Sequence, residues 1–144
     1  MRLIFSILSI AYIAGIFLFA DSSVVSTLSS FNPYSLLHIP LYGILTFLLI
    51  FSFVPLKFIP INPTNPINPS NPINPSNPIT RFLVVGFIAL IVAIADEIHQ
   101  AYVPGRDASI TDVLLDLAGI TLVLFIVLYF YGKQKIIKSD PLIP

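Results

Sequence analysis

Four stretches of this chain, Leu3 to Ala20, Ser35 to Ile59, Phe82 to Ala95 continuing toward Tyr102, and Ile110 to Tyr131, are apolar almost throughout. A hydrocarbon layer about 30 Å thick takes about 20 such residues per helix. Inside lipid every backbone N–H and C=O must find its partner within the protein, which leaves only helices and closed barrels. Runs of this length predict an all-α, polytopic membrane bundle of four transmembrane helices. Composition agrees, with 56% hydrophobic and only 10% charged residues, against roughly 25% charged in soluble domains. The 144 residues are read as one membrane domain spanning 1–144.

The first run has the outline of a signal peptide, with Arg2 before an apolar stretch ending Leu18-Phe19-Ala20, but Leu18 is a poor fit for the small residue that cleavage needs. It is read as a span. Basic residues near the ends of short loops are retained on the cytoplasmic side. With four spans, Arg2, Lys57, Arg81, Lys133, Lys135 and Lys138 fall on one side and Arg106 alone on the other. Both termini are therefore expected in the cytoplasm, with 21–34 and 96–109 facing outward. No basic or acidic block points to nucleic acid. The absence of cysteine excludes disulfides, thiolate nucleophiles and thiolate metal sites.

Between the second and third runs, Ile61 to Ile79 repeats Ile-Asn-Pro-(Thr/Ser)-Asn-Pro. Proline at every third position forbids helix and sheet ladders, so 61–79 is read as a cytoplasmic, low-complexity linker. A polyproline-like ligand for a proline-binding partner is the sharper alternative, and a tolerated loop expansion the simpler one. Proline after each asparagine blocks the glycosylation sequon.

The chemistry is concentrated at one place. Asp96, Glu97, Asp107, Asp112 and Asp116 are five of the seven acids, and His99 and Arg106 lie among them. Ionisable groups at the mouth of a membrane bundle are costly, so they read first as a functional site. At 100° per residue, Gly86, Ala89, Ala93, Asp96 and Gln100 share one sector of the third helix, a small-residue face suited to close helix packing. Asp96 and Gln100 should therefore point inward, flanked by Glu97 and His99. A carboxylate on such a face can also simply bond a neighbouring helix.

Pro104-Gly105 predicts a tight turn. Ser109 or Thr111 then caps the fourth helix, and Asp112 suits the positive end of its dipole. Capping does not account for Asp116, one turn deeper, which needs Arg106, His99, His38 or a bound cation as partner. In the second helix, His38 and Tyr42 lie one turn apart above Leu45 and Leu49, an outward-opening polar notch. On their own they read as a structural histidine and an interfacial aromatic. Arg106 could fork onto a carboxylate or phosphate, internal pairing with Asp107 or Asp112 being the competing use. The spacing matches no metal-binding signature, so no metal is assigned, and no cofactor is named.

Asp96-Glu97-Ile98-His99-Gln100, followed by Pro104-Gly105-Arg106, Ser109, Asp112 and Gly119, resembles the signature of the VanZ-like family of small bacterial and archaeal membrane proteins. Weaker agreement reaches His38-x-x-x-Tyr42, Ile16-Phe17 and Ser22-Ser23, so the resemblance covers most of the chain outside the repeat. It implies a link to teicoplanin-type glycopeptide resistance for some members, with no settled biochemical activity. Two positions depart from the family pattern. Ser35 stands where a lysine is usual, and Asp116 where the fourth span usually has asparagine, which makes the site more acidic.

Three functions remain open on these residues. The first is a cell-membrane, multi-pass protein whose extracytoplasmic site binds an amphipathic or lipid-linked molecule, a lipid head group or a glycopeptide, through His38, Tyr42, Gln100, Arg106, Asp112 and Asp116. The second is a hydrolase or transferase acting on a lipid-linked envelope substrate, with Glu97 or Asp96 as general base, His99 as acid or base, and Arg106 steadying a developing oxyanion. The third is a structural lock between helices. Whether the chain is an enzyme, and its oligomeric state, are not fixed by the sequence.

Overall fold

The computed structural model describes residues 2–20, 22, 34–54, 78–104, 106 and 108–139. Residues 61–77 of the Asn-Pro repeat, Gly105 and Asp107 lie outside the described residues, and the repeat's last two residues, Pro78 and Ile79, belong to a helix rather than to the linker. The described residues form four α-helices: α1 (Arg2–Phe19), α2 (His38–Phe53), α3 (Pro78–Gln100) and α4 (Ile110–Ser139). No strand occurs among the described residues. A 3-10 turn, Tyr34–Leu37, runs straight into α2. Each helix is long and apolar enough to cross a membrane, with α2 counted from Ser35 and α4 to Lys133.

The helix boundaries follow local chemistry. The second apolar run continues to Ile59, but α2 ends at Phe53, and Val54 is extended at φ −87°, ψ 122°. Pro55 forces this, since the residue before a proline is driven out of the α region. Helix α3 starts earlier than its apolar run, at Pro78, where a fixed φ and a missing N–H suit the first helical position. Helix α4 opens at Ile110, with Ser109 as its cap: the Ser109 hydroxyl accepts from the Thr111 N–H at 3.2 Å.

Helices consecutive in the chain run antiparallel, and α2 and α4 run parallel. On the α1–α2 face, Phe5 stacks on Phe51 at 4.9 Å, the Ser9 and Ser52 hydroxyls meet at 3.2 Å, and the Tyr12 hydroxyl donates to the Leu41 carbonyl at 3.1 Å. The core lies among α2, α3 and α4, built from Tyr42, Leu45, Leu49, Ile50, Phe82, Val85, Ala89, Ala93 and Ile120. Large side chains such as Leu3, Ile10, Leu83, Phe87, Leu122 and Phe125 stay exposed, as a lipid-facing surface requires.

Helices α2 and α4 approach most closely at Gly119. A Cβ there would run into the Ile39 backbone carbonyl. Gly43, one turn further along α2, would place a Cβ 3.4 Å from Val123 and 3.8 Å from the Gly119 carbonyl. Without a hydrophobic force to join helices in lipid, such close backbone contact is what dispersion and polar bonds need. At the other end of α2, Arg81 donates to the Phe53 carbonyl at 2.9 Å, where the helix leaves carbonyls without partners.

Candidate functional site

The polar residues of α2, α3 and α4 converge at the end of the bundle formed by the start of α2, the end of α3 and the start of α4. Their burial is nearly complete: Asp116 and Tyr42 are 0% exposed, Asp96 2%, Gln100 3%, and His38 and Glu97 5%. Helix phase places them there, Asp96 and Gln100 one turn apart on the small-residue face of α3. Tyr42 is no interfacial aromatic. It is buried because its face of α2 packs wholly inside the bundle.

His38 Nδ1 lies 2.8 Å from Asp116 Oδ1, which joins α2 to α4. Its other ring nitrogen, Nε2, is 3.8 Å from Asp112 Oδ2. The imidazole thus sits between two carboxylates of one helix face. Tyr42 joins α2 to α3, its hydroxyl lying 3.3 Å from Asp96 Oδ2 and 3.4 Å from the Val92 carbonyl.

Glu97 does something no spacing rule foretells. Its Oε2 accepts from the Ser109 backbone N–H at 2.8 Å. In a capping box, an acid three residues into a helix returns to the N–H of the cap residue. Here that acid position is Asp112, which turns toward His38, and Glu97 of the preceding helix bonds the Ser109 N–H instead. The α3–α4 connection is thereby fastened.

Arg106 donates through Nη2 to Gln100 Oε1 at 2.5 Å and through Nη1 to the Ala20 carbonyl at 3.4 Å. It bridges the ends of α1 and α3, and its described partners are an amide and a carbonyl rather than Asp112. His99 takes another direction: its ring packs edge-on to Phe17 of α1 with centroids 5.5 Å apart. Glu97 and His99 therefore face different neighbours, as two positions apart on a helix demands.

Beside this network is a cavity of about 380 Å³. One wall comes from α1, through Ala11, Tyr12, Gly15, Ile16 and Phe19, and the other carries His38, Asp96, Gln100 and Arg106. The part played by α1 was missed from sequence. The only signal was the Ala11-x-x-x-Gly15 pair, which leaves space where larger side chains would close the gap. Among the described residues, four buried polar atoms have no hydrogen-bond partner: Asp96 Oδ1, Glu97 Oε1, His99 Nδ1 and Asp116 Oδ2. A buried polar group without a partner is costly and calls for an explanation.

A four-helix, apolar bundle with a carboxylate–imidazole network at one end defines a small multi-pass membrane protein with a buried polar site. The family model described as VanZ/LLP1 matches residues 4–131, and the chain belongs to that family. No curated protein and no solved structure matches it.

Proposed function

We propose that the cavity between α1 and the polar network receives an amphipathic molecule of the cell envelope, a lipid head group or a glycopeptide, from the extracytoplasmic side. The observation that carries this reading is the two-sided lining. Apolar and small side chains of α1 suit a hydrocarbon or other nonpolar part, and His38, Asp96, Gln100 and Arg106 on the opposite wall offer both donors and acceptors to a polar head. The volume of about 380 Å³ falls within the range of small-molecule sites. Outward orientation is supported by the asymmetry of Lys and Arg, six on the opposite side against Arg106. Membership of the VanZ/LLP1 family supports a role in resistance to teicoplanin-type glycopeptides.

Filling the cavity tests this directly. A Cβ on Gly15 meets nothing within 4 Å, so Gly15→Leu puts bulk into the space while removing a glycine from a helix interior. Purified protein in detergent should bind teicoplanin or phosphate-bearing envelope lipids saturably by native mass spectrometry, and G15L should lose that binding while keeping its melting temperature. Equal binding by wild type and G15L, or none by wild type, sinks the reading.

A second reading, hydrolysis or group transfer on a lipid-linked substrate, is favoured by one observation. Asp96 lines the cavity with its Oδ1 unpartnered, the position a general base would hold. Incubation with envelope lipids followed by product analysis separates the two: saturable binding with unchanged substrate leaves the binding role alone.

A further inference from the structure

We propose that His38, Glu97 and Asp116 form a binding site for one divalent transition-metal cation of the Zn²⁺ or Mn²⁺ class, held between α2, α3 and α4. This goes beyond the amphipathic-ligand reading and stands or falls without it. Each of the three residues offers one ligand atom, and these atoms all lie within 4.8 Å of one another. Ligand atoms about 2.0–2.2 Å from a zinc ion in a tetrahedral shell lie about 3.3–3.6 Å apart. Closing the triangle on an ion therefore draws the ligand atoms together by up to about 1.5 Å.

A second observation points to the same place. Glu97 Oε1 and Asp116 Oδ2 are buried and have no hydrogen-bond partner. The other oxygen of each carboxylate is already engaged, Glu97 Oε2 by the Ser109 N–H and Asp116 Oδ1 by His38. The Ser109 bond orients Glu97 in the way outer hydrogen-bond partners orient metal ligands, and His38 and Asp116, both proposed ligands, hold each other side by side. What remains on each carboxylate is one free acceptor. One cation satisfies both acceptors at once and offsets negative charge whose burial in a low-dielectric interior is expensive.

The donor set selects the ion. One imidazole with two carboxylates suits borderline divalent metals better than calcium, which takes oxygen ligands in larger number. Asp112 Oδ2, 3.8 Å from His38 Nε2, is near enough to supply a further oxygen. The three ligands come from three different helices, which is why no ligand spacing is visible along the chain.

The test uses the full-length protein in detergent, purified without a histidine tag, stripped with a chelator and reloaded with Zn²⁺. After desalting, elemental analysis should find about one zinc per chain, and thermal stability should rise with free Zn²⁺ as for any ligand that binds only the folded state. Glu97→Gln and Asp116→Asn should each weaken zinc binding at least tenfold. Absence of bound zinc in wild type, or unchanged affinity in both variants, overturns the proposal. Should the variants not fold, X-ray absorption of zinc-loaded wild type decides: one imidazole nitrogen among oxygen ligands is expected, and a shell without imidazole overturns the site. The chain has two histidines, so His99→Gln must retain that imidazole signature, and its loss would equally rule out His38.

Discussion

Asp116 and His38, 78 residues apart, meet at 2.8 Å in a part of the bundle where Asp116 is fully buried. Two magnitudes bear on what this pair is worth. Hydrogen bonds between membrane helices average about 0.6 kcal/mol, whereas leaving a buried acceptor without its partner costs about 1–3 kcal/mol. His38→Ala leaves Asp116 Oδ1 without its partner, so the larger figure applies. Reversible unfolding in detergent should show H38A destabilised by about 1–3 kcal/mol. Replacing both residues by leucine should recover much of that loss, and equal stability of H38A and wild type would show the pair to be idle.

Gly119 sets the distance between α2 and α4. A methyl group there would meet backbone atoms of Ile39, which cannot rotate aside as a side chain can. Gly119→Ala is expected to cost about 1–3 kcal/mol, the usual penalty for overpacking. Gly132→Ala is the matched control, since nothing lies within 4 Å of a Cβ at that position. The two variants should differ clearly in melting temperature, G132A staying at or above wild type.

Much of this arrangement was legible before any coordinates. Helix phase alone turned Asp96 and Gln100 inward and paired Asp112 with Asp116, and the expense of a deep carboxylate required a partner, of which His38 was one of four named. Ser109 could be read as a cap from its residue type and position. What escaped was everything whose partner carries no residue signature. The Glu97 carboxylate bonds a backbone N–H, and every residue has one. The cavity arises from missing bulk at Ala11 and Gly15, which sequence alone cannot distinguish from close helix packing. Taken alone, Tyr42 reads as an interfacial aromatic because an aromatic near a span end usually lies there, whereas here that face of α2 is enclosed.

The Glu97–Ser109 bond makes the start of α4 depend on α3. Glu97→Ala removes the acceptor for the Ser109 N–H, and Ser109→Ala removes the hydroxyl that accepts from Thr111. Loss of an N-cap costs about 0.5–2 kcal/mol, so each variant should fall in that range. Hydrogen exchange should speed up at the amides of Ser109 to Val113 while the centre of α4 stays protected. Uniform loss of protection along α4 would mean that the two groups support the whole helix rather than its end.

The side of the membrane on which the polar site opens determines which molecules can reach it, and the proposal of an extracytoplasmic site rests on charge placement. Because the chain contains no cysteine, single cysteines report position without background. Ala108 is exposed beside the start of α4, and Gly132 lies near the other end of that helix. In intact cells, a membrane-impermeant maleimide should label Ala108→Cys and spare Gly132→Cys until the cells are opened. A cytoplasmic reporter fused after Pro144 should be active in the same strain. The reverse labelling pattern would put His38, Asp96 and Arg106 at the cytoplasmic face and remove any route from outside to the cavity, and with it the case for an external glycopeptide as the ligand.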